Sequence, residues 1–246
     1  MNSTCKTPCQ IFLINNEGDI DKAWLTQTCP DIEIIENKEP RGFAENNNRI
    51  FRENPDFDYY LLFNPDADCF PEMVSKLMSV MENNPKIGAV GPRLISPDGS
   101  TQPSRRRFAS FLVLLIRALH IDAIFRGLSI VNHYLMQDVE FDDLTDVNWV
   151  TGAVMILRKT ALEEVGLFDE RFFMYFEDED LCCRMWQNGW RVCYLNTAQA
   201  YHVHIAAGRK QLFSKTNFHH ISSAIKMLVK YKGNIKRCYD IDAGNE

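Results

Sequence analysis

The chain has 246 residues, 46% of them hydrophobic, and a formal net charge of −6 at pH 7. This length suffices for one large domain or two small ones with a sizeable core, and the acidic balance argues against a general nucleic-acid binder. The eight cysteines contain no C-x-x-C pair, which argues against a zinc knuckle. No apolar run is long enough to cross a bilayer, and the first ten residues lack the apolar core of a signal peptide. We therefore expect a reduced, cytoplasmic protein.

The first half of the chain alternates apolar runs with segments of helical character. Strands are predicted at 11–14, 32–35, 59–63 and 87–90, and helices at 20–28, 43–53 and 71–83. This alternation predicts an α/β fold in which a mostly parallel sheet is flanked by helices. Ligands bind such sheets at the carboxyl ends of the strands.

The segment FNPDAD, residues 63–68, follows one of these strands. If the extended geometry persists, Asp66 and Asp68 point to the same side. Two carboxylates so close repel each other unless a cation lies between them, and a divalent ion is the natural candidate. The alternative is an ordinary polar turn after a strand.

The middle of the chain combines turn signals, three consecutive arginines at 105–107 and an apolar segment that continues to residue 128. The apolar residues fall at helical spacing. One interpretation is a core-packed helix with a solvated basic start. The other is a basic amphipathic element, 105–128, that lies on a membrane surface or lines an acceptor groove.

The second half contains a strand followed by a short helix at 147–166, in which the small residue Gly152 would let a ligand approach the backbone. Four consecutive acids, 177–180, then precede a helix. Helix capping explains one or two of them. The aromatic run 172–176 would partly bury the others, and burial raises a carboxyl pKa. Asp178 or Asp180 could therefore act as a general base.

Strands are predicted at 190–195 and 200–205, and His202 and His204 alternate on the second of them, so that they face one side. Each could be structural. Together with the Asp-x-Asp segment, one of them could instead complete an oxygen–nitrogen shell that suits Mn²⁺ or Mg²⁺.

Four segments in this order carry a resemblance: RGFAENNN at 41–48, NPDAD at 64–68, WVTGAV through FEDEDL at 149–181, and AYHVH at 200–204. They resemble the inverting GT-A glycosyltransferases of family 2, and in particular bacterial rhamnosyltransferases of surface-polysaccharide and O-antigen assembly. The resemblance covers roughly residues 10–232. It implies a single GT-A domain, with a nucleotide-sugar-binding half at 10–95 and an acceptor and catalytic half at 96–232.

The resemblance also implies roles for individual residues. Asp178 matches the catalytic base, and Asp68 matches the aspartate that binds the metal of the donor diphosphate, Mn²⁺ or Mg²⁺. The remaining matches are Asp66 as its partner toward metal and donor, His202 as a metal ligand with His204 as competitor, and Asn16, Gly42, Asn47 and Gly152 as donor contacts. The implied reaction moves rhamnose from dTDP-rhamnose to a saccharide or polyprenyl-diphosphate-linked acceptor. It would take place at the cytoplasmic face of the membrane, with residues 105–128 in contact with the lipid.

One departure leaves an alternative open. The segment IFLINN, 11–16, matches the second strand of the family, so the first strand–helix unit is expected to be missing. A chain without it could be a degenerate, non-catalytic interaction subunit. A phosphatase with Asp66 as nucleophile is disfavoured, because Cys69 and Phe70 offer no hydroxyl to hold phosphate.

Overall fold

Helices and strands alternate along the first half of the chain, as the apolar pattern predicts. The computed structural model describes residues 9–16, 18, 20–118, 127–203 and 215–233. Within them the helices are α1 (Lys22–Thr28), α2 (Phe43–Glu53), α3 (Met73–Asn83), α4 (Phe111–Ala118), α5 (Ser129–Tyr134), α6 (Lys159–Val165), α7 (Glu177–Gln187) and α8 (Lys215–Lys230). The strands are β1 (Ile11–Asn15), β2 (Ile32–Glu36), β3 (Tyr59–Phe63), β4 (Ala67–Cys69), β5 (Ile87–Ile95), β6 (Arg105–Arg106), β7 (Leu144–Asp146), β8 (Trp149–Val150), β9 (Val154–Arg158) and β10 (Arg191–His202).

The central sheet has six strands in the order β3-β9-β5-β10-β4, with β7 also paired to β10. The prediction of a mostly parallel sheet is wrong for it, because only β5 and β10 pair in parallel and the other pairs are antiparallel. Two of these pairs arise because β9 returns after a long excursion and inserts between β3 and β5 in the opposite direction. The other two arise because β4 and β7 run antiparallel to β10. Because β3, β5 and β10 still run the same way, their carboxyl ends share one edge.

Two smaller sheets lie outside this order. β1 and β2 pair in parallel with each other, and β6 pairs antiparallel with β8. The ring of Phe12 in β1 contacts that of Phe57, just before β3, at 6.2 Å between centroids. The predicted absence of a first strand–helix unit concerns the chain before β1, and it stays a prediction.

One strand replaces the two that were predicted near the end of the chain. β10 runs from Arg191 to His202 and absorbs an irregularity between Leu195 and Gln199 while it follows β5. The predicted strand 200–205 extends past His202, the last residue of β10. His204 lies outside the described residues.

Helices cover both faces of the central sheet, which produces two apolar layers. On one face α3 contributes Met73, Leu77 and Met81 to a layer with Val90 and Ile156. On the other face, side chains of α2, α6, α7 and α8 pack against the alternate residues of the same strands. Period-2 alternation of strand side chains accounts for this division. Among the described residues, no helix is both long and apolar enough to traverse a bilayer.

Candidate active site

The Asp-x-Asp segment forms a turn and then a short strand, so the predicted persistence of extended geometry is wrong. The N–H of Ala67 donates to the carbonyl of Asn64 at 3.0 Å, which places Asp66 within the turn. Asp68 lies in the middle of β4, opposite Tyr201 of β10, and is exposed. Pairing with β10 brings the segment to the end of that strand.

His202 lies beside Asp66 at this edge. Its Nε2 is 3.3 Å from Asp66 Oδ1, and its side chain is almost fully buried. Gln102 donates from Nε2 to the His202 carbonyl at 2.7 Å, and its Oε1 lies 2.9 Å from His202 Nδ1. Since the amide oxygen can only accept, Nδ1 carries a hydrogen in this arrangement, and Nε2 is the nitrogen that faces Asp66. An imidazole whose Nδ1 is held in this way directs Nε2 to the position that a metal would occupy, and Nε2 ligates a metal when it carries no proton.

Asp66 and His202 therefore fit a hard or borderline divalent cation. Two adjacent ligands of a six-coordinate ion with bonds near 2.1 Å lie about 3 Å apart, close to the observed 3.3 Å. In the described part of the chain, no three carboxylate, histidine or cysteine side chains converge on one point. The structure brings two of the predicted ligands together, and Asp68 lies two residues along the chain from this pair.

The four acids of α7 separate into different environments. Tyr175 and the N-cap Phe176 have positive φ values of 70°, so the backbone turns sharply before the helix. Glu177, Glu179 and Asp180 are buried, whereas Asp178 alone keeps part of its surface open. Accessibility to a substrate hydroxyl thus distinguishes Asp178 from its three neighbours.

The carboxylate of Asp178 is held by two backbone N–H groups. Gly152 donates to Oδ2 at 3.0 Å, and Glu179 donates to Oδ1 at 2.9 Å. Burial raises the pKa of Asp178, and these two bonds together with the charge of Arg106 oppose the rise. Burial raises the pKa of Glu177 well above its usual range, and the charge of Asp178 adds to the effect. Of the two adjacent acids, Glu177 therefore has the more strongly favoured neutral form.

Asp180 has a structural environment instead of a catalytic one. It accepts hydrogen bonds from Arg184 Nε at 2.9 Å and from the Tyr231 hydroxyl at 2.8 Å, and it forms an ion pair with Lys230. Of the two candidate bases that the sequence left open, the geometry therefore favours Asp178. The same contacts make Arg184 a structural partner of Asp180.

The predicted donor-site glycines allow close approach between parts of the protein. A Cβ on Gly42 would lie 2.5 Å from the carbonyl oxygen of Phe173, and one on Gly152 would lie 3.0 Å from Cζ of Phe43. Phe43 N donates to the Phe173 carbonyl at 2.9 Å. Gly42 thus lets the start of α2 approach the loop before α7. Gly152, whose N–H binds Asp178, lets its own segment approach Phe43 of α2.

The two predicted donor-site asparagines make local hydrogen bonds. Asn16 Oδ1 accepts from the N–H of Arg41 at 2.9 Å, and its Nδ2 donates to the Arg41 carbonyl at 3.0 Å. Asn47 Nδ2 donates to the Phe43 carbonyl at 2.8 Å. These bonds fix the loop that leads into α2, and the donor roles of Asn16 and Asn47 stay predictions.

The arginine triplet contributes a residue that the sequence did not single out. Arg107 is buried and paired with Asp138, and Arg105 stacks on the ring of Phe141. Arg106 lies over the ring of Trp149 and lowers the pKa of Asp178. The predicted solvated basic start is therefore wrong, because all three guanidinium groups pack against protein. Alternation along β6 could have indicated that neighbouring arginines face different sides.

The two parts of the site meet at consecutive residues. The N–H of Gly152 binds Asp178, and the carbonyl of Ala153 accepts from the N–H of Asn64, at the start of the Asp-x-Asp turn, at 2.8 Å. A sheet edge that joins an Asp-x-Asp turn to a semi-exposed carboxylate agrees with the GT-A resemblance of the sequence, and the chain has a GT-A α/β fold.

Comparison with known proteins identifies the family. A family model described as "Glycosyltransferase like family 2" matches residues 8–217, and the chain belongs to this family. It is 30% identical over 176 residues to the N-acetylglucosaminyl-diphospho-decaprenol L-rhamnosyltransferase of Mycobacterium tuberculosis, which covers 72% of this chain and 57% of that one. It is 32% identical over 96 residues to the rhamnosyltransferase WbbL of Escherichia coli, which covers 39% and 36% of the two chains. The match thus spans little more than half the length of the Mycobacterium tuberculosis relative.

The fold is similar to that of solved glycosyltransferases. The structure of GalNAc-T7 with UDP, GalNAc and Mn²⁺ superposes with a TM-score of 0.57 at 10% identity, over 79% of this chain and 38% of that chain. At this identity the likeness shows the fold alone. The predictions of a GT-A fold and of a family 2, rhamnosyltransferase-like chain are confirmed.

Proposed function

We propose that this chain is a metal-dependent inverting glycosyltransferase, which moves a sugar from a nucleotide donor to a lipid-linked saccharide. The observation that carries the proposal is Asp178, semi-exposed, with both oxygens fixed by backbone N–H groups. The names of the two relatives favour rhamnose as the sugar and a diphosphate-linked polyprenol as the carrier, hence dTDP-rhamnose as donor. We place the reaction at the cytoplasmic face of the membrane, with 10–95 as the donor half and 96–232 as the acceptor half.

Asp178 would take the proton of the acceptor hydroxyl as that oxygen forms a bond to the anomeric carbon. The bond from the anomeric carbon to the donor diphosphate breaks at the same time, and the nucleoside diphosphate leaves with the electron pair. One such displacement inverts the configuration. Mn²⁺ or Mg²⁺, held by Asp66, Asp68 and His202, would supply positive charge to the diphosphate.

Donor binding tests the proposal directly. We expect calorimetry to show Mn²⁺-dependent binding of dTDP-rhamnose, because Asp66, Asp68 and His202 would hold a cation whose charge offsets that of the diphosphate. The names of the relatives favour this donor over UDP- and GDP-sugars. Asp68→Ala should reduce this binding at least about tenfold. Asp142→Ala, which removes an exposed carboxylate elsewhere, should not. Failure of every nucleotide sugar to bind the folded wild type would favour a non-catalytic subunit instead.

A second test concerns Gln102, which we propose positions His202. In Gln102→Leu the imidazole loses the acceptor that fixes its tautomer, and we expect the affinity for Mn²⁺ to fall about 10- to 100-fold. Electron paramagnetic resonance of free Mn²⁺ in a titration measures this without turnover. Gln137→Leu, at an exposed position, is the matched control. Equal Mn²⁺ affinity in Gln102→Leu and wild type would remove Gln102 from this role.

A further inference from the structure

The last helix, α8, is apolar on two opposite sides. Its inner side buries Ala224 and Met227 in the core. Its outer side exposes Phe218 by 70%, Ile225 by 55% and Val229 by 74%, together with Ile221. At 100° per residue these four side chains form one stripe opposite Met227, which extends about 16 Å along the helix. A helix that only covers a core needs no second apolar side, so the stripe indicates a contact outside the described residues.

A neighbouring helix widens this surface. α4 packs against α8, and its Phe111 and Leu112 are 57% and 50% exposed. We call the six exposed side chains of the two helices, Phe111, Leu112, Phe218, Ile221, Ile225 and Val229, the outer apolar surface.

The exposed charges on α8 and the turn after it are positive. In a chain with a net charge of −6, the segments 111–118 and 215–233 contain no Asp or Glu. Lys230 points inward, to ion pairs with Asp169 and Asp180. Lys226 and Lys232 are exposed. A second copy docked on the same surface would bring these like charges together. Anionic lipid head groups would instead meet apolar side chains flanked by lysines, as on helices that lie in a membrane interface.

The outer apolar surface adjoins the candidate active site. The ring of His219 in α8 stacks on Phe173 at 4.6 Å between centroids, and Ser223 Oγ donates to the Met174 carbonyl at 2.8 Å. Phe173 and Met174 are each 37% exposed and belong to the loop that leads to Asp178. α8, which carries most of the outer apolar surface, therefore also holds this partly exposed loop beside the catalytic segment.

We propose that the outer apolar surface of α4 and α8 docks on an anionic lipid bilayer. This inference rests on the proposed function, because a lipid-linked acceptor reaches the site only from a membrane. α8 would lie in the plane of the interface with its apolar stripe among the acyl chains and with Lys226 and Lys232 at the head groups. The loop 172–176 then faces the bilayer, and Asp178 stands where an acceptor anchored by its polyprenol can reach it.

Flotation of the full chain with lipid vesicles tests the proposal. We expect wild type to bind vesicles of phosphatidylcholine with about a third phosphatidylglycerol, and to bind phosphatidylcholine alone more weakly. Ile225→Glu/Val229→Glu should reduce the bound fraction at least about tenfold. Trp24→Glu is the matched control, because Trp24 is an apolar side chain on α1 that is 59% exposed. Melting curves check that the variants fold.

Three results would overturn the docking proposal. Wild type could fail to bind vesicles, or the double variant could bind them as wild type does. Light scattering could show that wild type is a dimer and that the double variant is a monomer. Donor titration of the same variants separates this proposal from the proposed function. Vesicle binding without nucleotide-sugar binding would support the docking proposal and contradict the proposed glycosyltransferase function. Nucleotide-sugar binding without vesicle binding would do the reverse.

Discussion

Asp178→Asn is expected to lower kcat about 10²- to 10⁴-fold while dTDP-rhamnose binding stays within about twofold of wild type. The amide cannot accept a proton from the acceptor hydroxyl. It also has only one oxygen for the two backbone donors, Gly152 and Glu179, that hold the carboxylate. The segment should keep its conformation through the remaining bond, so the defect concerns the proton transfer. Initial rates of nucleoside diphosphate release, with calorimetry for donor affinity, measure the two effects separately.

The control for this variant is the neighbouring residue. Burial and the charge of Asp178 raise the pKa of Glu177 well above its usual range, which favours its neutral form, and Glu177→Gln keeps the shape of that form. We expect its kcat to stay within a few-fold of wild type. Normal turnover in Asp178→Asn, or a loss in Glu177→Gln as large as that in Asp178→Asn, would show that the base has been assigned to the wrong residue.

The pH profile provides a second readout of the same base. Burial raises the pKa of Asp178, and the base must be unprotonated to act. Activity is therefore present above this raised pKa and lost below it, so the acidic limb of kcat should lie above the ordinary aspartate value of about 3.9. The residual activity of Asp178→Asn should lack that limb.

Local elements followed from the sequence, whereas the order of the strands did not. Residues 43–53 form a helix with the predicted bounds, and 59–63 form the predicted strand, because both depend on periodicity and end signals within a few residues. The antiparallel insertion of β9 depends on pairs such as Tyr59 with Arg158. No pattern within either strand specifies a partner that far along the chain.

The same limit applies to the site. Four adjacent acids are equivalent in the sequence, and their separation comes from distant partners: Gly152 at Asp178, Ala109 at Glu179 and Tyr231 at Asp180. The sequence did predict that a strand end would collect Asp66 and His202, since carboxyl ends of strands meet at one edge. It did not indicate Gln102, whose relevance depends on contact with His202 across the sheet edge.

Asp180→Asn is expected to lower the free energy of unfolding by about 3 kcal/mol. The carboxylate is fully buried and holds Arg184 of α7 together with Lys230 and Tyr231 at the end of α8. Loss of its charge leaves two cations without their shared buried partner. The cost should lie near the lower end for a broken buried pair, because Arg184 also donates to three backbone carbonyls and Lys230 also pairs with Asp169. Urea denaturation measures the change.

Glu163→Gln is the control for this measurement, since Glu163 is exposed and lies 3.6 Å from Lys159. Its effect should stay within about 0.5 kcal/mol. Any turnover lost in Asp180→Asn should return below its melting temperature in proportion to the folded fraction, whereas Asp178→Asn should remain slow when fully folded. An Asp180→Asn protein that is as stable as wild type but inactive would contradict this division of roles. It would make Asp180 part of the chemistry and α8 independent of it.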